Sequence, residues 1–137
     1  QLVFDDFLAD YTIDIEVENL GGLAVLNQTI NCMRVKGALD LGGTMSLVTD
    51  DMVGDLKPVD FQTGVFWFIG KCEVPIHYLP VMIDRKIIHM RFGVMPREIE
   101  SWLEMANIRA SIGSELLQHY AVSLALQEGS LMLEPLQ

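Results

Sequence analysis

Three histidines, two cysteines and nineteen carboxylates are the side chains of this sequence best able to do chemistry. His77 and His89 fall on the two arms of an expected hairpin, where Glu73 or Cys72 could join them around a metal. A zinc site needs three or four ligands in tetrahedral geometry, and no recognised ligand spacing is present. His119 lies far off in sequence, so these residues read as ordinary strand histidines and no metal is expected. Cys32 and Cys72 form no C-x-x-C pair and neither has a histidine beside it; they read as small apolar residues, reduced or joined in one disulfide. No G-x-S-x-G elbow occurs. The acidic groups Asp5/Asp6, Asp50/Asp51 and Glu98/Glu100/Glu104 read as solvated charge, the last set as helix-surface partners for Arg97 and Arg109. Asp50-Asp51 with Gly54-Asp55 lacks the alternating acids and closing glutamate of a calcium loop. Gly37 and Gly42-Gly43 precede no helix carrying Lys-Ser/Thr, so no phosphate cradle follows and they read as turn glycines. Local pattern therefore assigns no catalytic residue, no metal and no cofactor. Asn27-Gln28-Thr29 matches a glycosylation sequon, which matters only in a secreted chain.

The elements that would carry these residues follow from hydrophobic periodicity. Tyr11, Ile13, Ile15 and Val17 alternate with Asp14, Glu16 and Glu18, the pattern of a half-buried strand. Leu23, Leu26, Ile30 and Met33 step by three and four, which predicts an early helix. Val35–Leu41 and Thr44–Thr49 around Gly42-Gly43 predict a hairpin, and Asp50–Gly64 a loop. Val65–Ile69 is continuously apolar and reads as a strand covered on both faces. It continues past a bulge at Gly70 with Cys72, Val74, Ile76 and Tyr78 inward, with Pro75 marking an edge or interruption. Ile88, Met90, Phe92 and Val94 form the return strand. Pro96 opens a helix with Ile99, Trp102, Leu103 and Ala106 in a stripe, and Ser111 a second with Ile112, Leu116, Tyr120 and Leu124, ending at Gly129. The expected fold is α+β: an antiparallel sheet of about five strands, one early helix and two C-terminal helices packed on it.

At 137 residues, 50% hydrophobic and with a formal net charge of −10, the chain has the profile of one acidic globular domain spanning 1–137. The longest uncharged run, Asn19–Met33, is too short and too polar to span a bilayer as a helix. The compartment stays open. Starting at Gln1, the chain reads as processed or excised from a longer one. The acidic excess argues against nucleic acid as a partner. Residues 1–60 hold eleven acids and three bases, whereas Lys71, Arg85, Lys86, Arg91 and Arg97 make the middle basic. That bipolarity suits association with a protein partner or a second copy. Met45, Met52 and Met82, near turns or ends, are the expected interface methionines. An apolar pocket lined by Trp67, Phe92, Trp102 and Tyr120 is the basis of a small-ligand reading.

The acidic profile with an amphipathic C-terminal helix is similar in composition to secretion chaperones, and the order of elements resembles viral matrix proteins. Leu133-Glu134-Pro135-Leu136-Gln137 resembles the upstream side of sites cut by viral 3C-like proteases. These resemblances imply a processed, self-associating structural subunit. The leading expectation is a non-catalytic protein-interaction or assembly module. The alternatives are a small acidic chaperone or an apolar-ligand domain, and last an enzyme using His77 or His89.

Overall fold

The computed structural model describes residues 12–66, 69–83 and 85–136. Those residues hold eleven strands, one α-helix and three 3-10 turns. The strands are β1 (Ile13–Glu16), β2 (Glu18–Leu20), β3 (Leu23–Ile30), β4 (Met33–Leu39), β5 (Ser46–Val48), β6 (Asp60–Phe66), β7 (Gly70–Ile83), β8 (Lys86–Val94), β9 (Ile108–Ile112), β10 (Tyr120–Ala125) and β11 (Ser130–Pro135). The helix, α1, is Arg97–Glu104. The expected α+β layout is thus corrected to a β-rich fold with two sheets. One has the order β1-β11-β10; the other runs β2-β3-β4-β9-β5-β8-β7-β6, with a further β3–β7 pairing that closes it on itself.

Two expected helices are absent, each for its own physical reason. In β3, Ala24, Val25 and Leu26 are all buried in succession, because Val25 faces one apolar cluster while Ala24 and Leu26 face the main core. A strand covered on both faces loses its alternation, and the surviving apolar spacing mimics a helix. β3 then turns into β4 through Asn31 and Cys32, both at positive φ, a hairpin turn made without glycine. Further on, Ile112, Leu116 and Tyr120 are all in the main core. They reach it from the end of β9, a 3-10 turn over Ser114–Gln118 and the start of β10. Gly129 does end a helical turn in a left-handed conformation, but that turn is only Leu126–Glu128.

Other expectations match more closely. The first strand is present as β1, with Tyr11 outside the described residues. The return strand is β8, paired along β7 from Ile76↔Gly93 to Ile83↔Lys86. The first C-terminal helix is α1. It buries no residue completely; Ile99 and Leu103 lie against Leu47, Val74, Ile76 and Met95, and Leu103 and Ala106 against Val25, Ala38 and Ile108. Of the apolar run from Val65, the described start is no covered strand: Val65 is 74% exposed and pairs with Lys71 near the end of β6, and Gly70 opens β7 at φ 90°. β7 is long enough to change environment along its length. Val74 and Ile76 pack beside α1, while Leu79, Val81 and Ile83, on the opposite face, enter the main core and leave Tyr78 exposed.

β4 and β5 do not pair with one another across Gly42-Gly43. β9 lies between them, parallel to β4 and antiparallel to β5. The link from β4 to β5 must therefore cross the end of β9, and this crossing builds the site.

Candidate active site

Asp40 follows β4 directly, where the chain leaves the sheet. Its backbone N–H donates to the Ile112 carbonyl at the end of β9 (2.8 Å), and Gly43 N–H donates back to the Asp40 carbonyl (3.0 Å). From the β9 side, Ser114 N–H donates to the Gly43 carbonyl (2.8 Å), and Gly113 N–H to the Oγ of buried Ser46 (2.9 Å). Three hydrogen bonds thus tie residues 40–46 to the 112–114 segment, and the Gly43–Asp40 bond tightens the loop itself. Gly113 is required by proximity: a Cβ there would lie 2.7 Å from the Gly43 carbonyl oxygen and 3.1 Å from Met45 backbone atoms. Gly43 has a similar duty, since its Cβ would sit 3.1 Å from Asp40 Oδ2. Both glycines let backbone approach the carboxylate and its supporting segment.

The Asp40 side chain is exposed, and it opens into a groove of about 1050 Å³. β4, the 40–47 loop and β9 form one wall, Gln62–Phe66 of the β6–β7 hairpin another, and α1 with Met105 and Ala106 a third; Leu20, Gly21 and Leu23 close one end. Asp40 is the single acidic or basic side chain among the described residues lining this groove. An exposed carboxylate held on a rigid crossing loop, in an otherwise uncharged cleft, can give or take a proton at a bound molecule.

A polar assembly lies on the far side of α1. Arg109 pairs with Asp51, which also accepts from the Thr49 hydroxyl, and Glu100 Oε1 accepts from Asp50 N–H at 3.1 Å. Burial opposes ionisation of Asp51, but the Thr49 hydroxyl and the Arg109 guanidinium outweigh it and hold the carboxyl below its ordinary value. These bonds tether α1 and the 3-10 turn at Asp50–Met52 to the start of β9.

The residues singled out from sequence scatter across the fold. His77 is buried toward the core; His89 pairs with Pro80 and is exposed. They stand three pairs apart on opposite faces of the hairpin, and no cluster of three metal-ligating side chains occurs among the described residues. Burial pushes the His77 imidazole below its ordinary value, against the pull of Asp50. Phe92 and Tyr120 are core residues and Trp102 is exposed on α1, so the three do not line one pocket; Trp67 lies outside the described residues. Met52 is fully buried, Met82 is exposed, and Met45 lines the groove. Lys71, Arg85, Lys86 and Arg97 are exposed. Arg91 instead bonds Gln62 and lies 3.8 Å from Asp60, and its backbone N–H donates to Glu115, so it braces β6. Asp40 is not among the residues singled out from sequence, where it falls inside the first arm, Val35–Leu41, of the expected hairpin. The signal that could have found it is a carboxylate closing an apolar strand before Gly-Gly, together with a second apolar strand, Ile108–Ile112, ending in Gly113.

No family model and no curated protein sequence matches the chain. Solved structures do. A retropepsin-like aspartic protease from Rickettsia conorii superposes with a TM-score of 0.63 over 91% of each chain, at 15% identity. The retroviral protease-like domain of Ddi1 from Leishmania major gives 0.55 over 84% of this chain and 94% of that one, at 21% identity. The EIAV protease in complex with the inhibitor HBY-793 gives 0.51 over 73% and 89%, at 18% identity. The fold is retropepsin-like. This overturns the expected non-catalytic assembly module, and with it the matrix-like structural reading: the architecture is one in which proteases are built. No helix among the described residues is long and apolar enough to cross a membrane.

Proposed function

We propose that this chain is an aspartic peptidase that works as a homodimer, each copy contributing Asp40 to one shared cleft. The observation that carries this reading is Asp40 itself, the lone charged side chain among the described residues lining the groove, fixed by the crossing loop of a retropepsin-like fold. Hydrolysis of an amide by carboxylates takes two of them. One, ionised, removes a proton from water as its oxygen attacks the carbonyl carbon; the other, protonated, gives its proton to the carbonyl oxygen. Collapse of the tetrahedral intermediate then passes a proton to the leaving amine. Two carboxyl groups placed together share one proton because both cannot ionise at close range, which supplies the acid and the base at once. One Asp40 cannot fill both roles, so a second copy completes the site. Gln62–Phe66 of the β6–β7 hairpin line the groove, where they would limit bulk solvent while leaving room for the attacking water.

The test is cleavage of a mixed peptide library by the purified chain, with products read by mass spectrometry. Cleavage should follow a bell-shaped pH profile and rise more steeply than linearly with protein concentration where monomer and dimer coexist. Asp40→Asn should fold normally, cut nothing, and in excess silence the wild-type chain by forming mixed dimers. Cleavage by Asp40→Asn, or activity strictly proportional to concentration in a monomeric protein, would overturn the proposal.

A further inference from the structure

β4 and β9 separate two spaces. Consecutive strand residues point to opposite faces, so Ala38 and Ser111 line the groove with Asp40, while Leu39 and Ile112 line a second space behind it. No described residue lines both. The second space is a cavity of about 300 Å³ between the two sheets. Ile13, Leu131 and Leu133 wall it from the smaller sheet, and Leu26, Val81 and Met90 from the larger. Ligand sites are commonly hollows of about 300–1,000 Å³, mostly apolar, with a few placed polar groups.

The polar groups here have one sign. Asp14, Glu16, Asn27 and Gln28 are the polar residues among the described ones lining the cavity, and none is basic. Asp14 and Glu16 are exposed, so their carboxylates stand where the cavity meets solvent. Gln28 lies over Gly37, where a Cβ would stand 2.6 Å from Gln28 Nε2. Its Oε1 is buried with no hydrogen-bond partner among the described residues. A buried acceptor left unpaired is costly, and a donor on a molecule in the cavity relieves that cost.

We propose that this cavity is a second ligand site, apart from the groove, for a small amphiphilic amine. The molecule has an apolar body with an N–H or O–H donor, and a cationic nitrogen that meets Asp14 and Glu16. The site does not rest on the peptidase reading. Its occupant acts on the Asp40 loop, because Asp40 N–H donates to the Ile112 carbonyl, and both Leu39 and Ile112 line the cavity. A molecule packed against those two side chains steadies the strand ends that carry this bond.

The test uses tryptamine, tryptophol and indolepropionate, which share an apolar body with an indole N–H and carry a positive, neutral and negative head. Binding of each to the whole chain is read by calorimetry, Tm and backbone NMR shifts. Tryptamine should bind about fivefold or more tighter than tryptophol, and indolepropionate weakest. The shifts should fall at Ile13, Ile112 and Leu133, with a Tm that climbs with tryptamine concentration. Asp14→Asn combined with Glu16→Gln should erase the order and leave tryptophol unchanged. Leu133→Phe, which fills the cavity, should abolish binding of all three; where it does not fold, the exposed carboxylate variant decides the matter. At saturating tryptamine, exchange of the Asp40 amide should slow. No binding at millimolar probe, equal affinity for the three heads, or shifts confined to the groove would overturn the site. Binding with Asp40 exchange unchanged would overturn its action on the loop and leave the site standing.

Discussion

Replacing Gly113 by alanine tests the central structural claim, that the segment after β9 holds the Asp40 loop by direct backbone contact. The residue has φ −94° and ψ −159°, extended backbone that any amino acid adopts, so alanine meets no conformational strain there. In the unfolded chain alanine is the stiffer residue, which by itself would stabilise the protein by about 0.4–1 kcal/mol. The native contacts act the other way. The new methyl would stand 2.7 Å from the Gly43 carbonyl oxygen and 3.1 Å from two Met45 backbone atoms, and backbone cannot rotate aside as a side chain can. Forcing such an overlap apart costs about 1–3 kcal/mol. The shift also strains the bond from Gly113 N–H to buried Ser46 Oγ, whose loss would leave a buried donor unpaired for about 1–3 kcal/mol more. The net expectation is a loss of about 2–4 kcal/mol, seen as a fall in Tm of roughly 10 °C for a chain of this size. Ser46→Ala removes the acceptor without the clash and should cost about 1–3 kcal/mol. Denaturant unfolding of both variants, with peptide cleavage measured well below the transition, gives stability and activity separately. Gly113→Ala should lose cleavage even where it is fully folded, because Gly43 and Asp40 move with the contact. A variant as stable and as active as wild type would refute the reasoning.

The other predictions concern pH and the hairpin. His77 has a folded-state value below its unfolded one, so the unfolded chain binds the extra proton. Stability should be full above about pH 6.5 and fall as pH drops toward the folded value, a slope that His77→Gln should flatten in urea titrations from pH 7.5 to 5. Asp51 is also depressed, so its contribution should persist down through the mildly acidic range and disappear only as pH falls below the ordinary carboxylate value. Its exposure keeps the contribution within about 1 kcal/mol, and Arg109→Ala should reduce that acid-side loss while the Thr49 hydroxyl keeps the rest. Arg91→Met should loosen β6 by removing its bonds to Gln62 and Asp60. Faster amide exchange across Asp60–Phe66, with Tm changed by only a few degrees, is the expected signature, and unchanged exchange would show that β6 is held otherwise.

Some of this protein was legible from local pattern. β1 alternates strictly, β8 alternates against its neighbour, and α1 announces itself with Pro96 and a four-residue apolar stripe; each is an element whose two faces meet different environments. Where both faces are covered that contrast vanishes, and β3 imitates a helix. The stretch from Ile112 to Tyr120 imitates one for another reason, because a 3-10 turn happens to return its apolar residues to the core every fourth position.

The site was hidden for a deeper reason. A single aspartate before two glycines has the composition of a turn, and nothing local distinguishes the two. By itself the sequence determined which segments alternate, where the chain must turn, and that bulky apolar residues fall on α1. Only the tertiary structure decided that β9, some seventy residues further on, enters between β4 and β5. That insertion forces the intervening loop across the end of β9, where Gly113 can touch it and Asp40 is left facing a groove. Strand order in a closed sheet is set by the joint burial of many distant faces, so no window of neighbouring residues contains it.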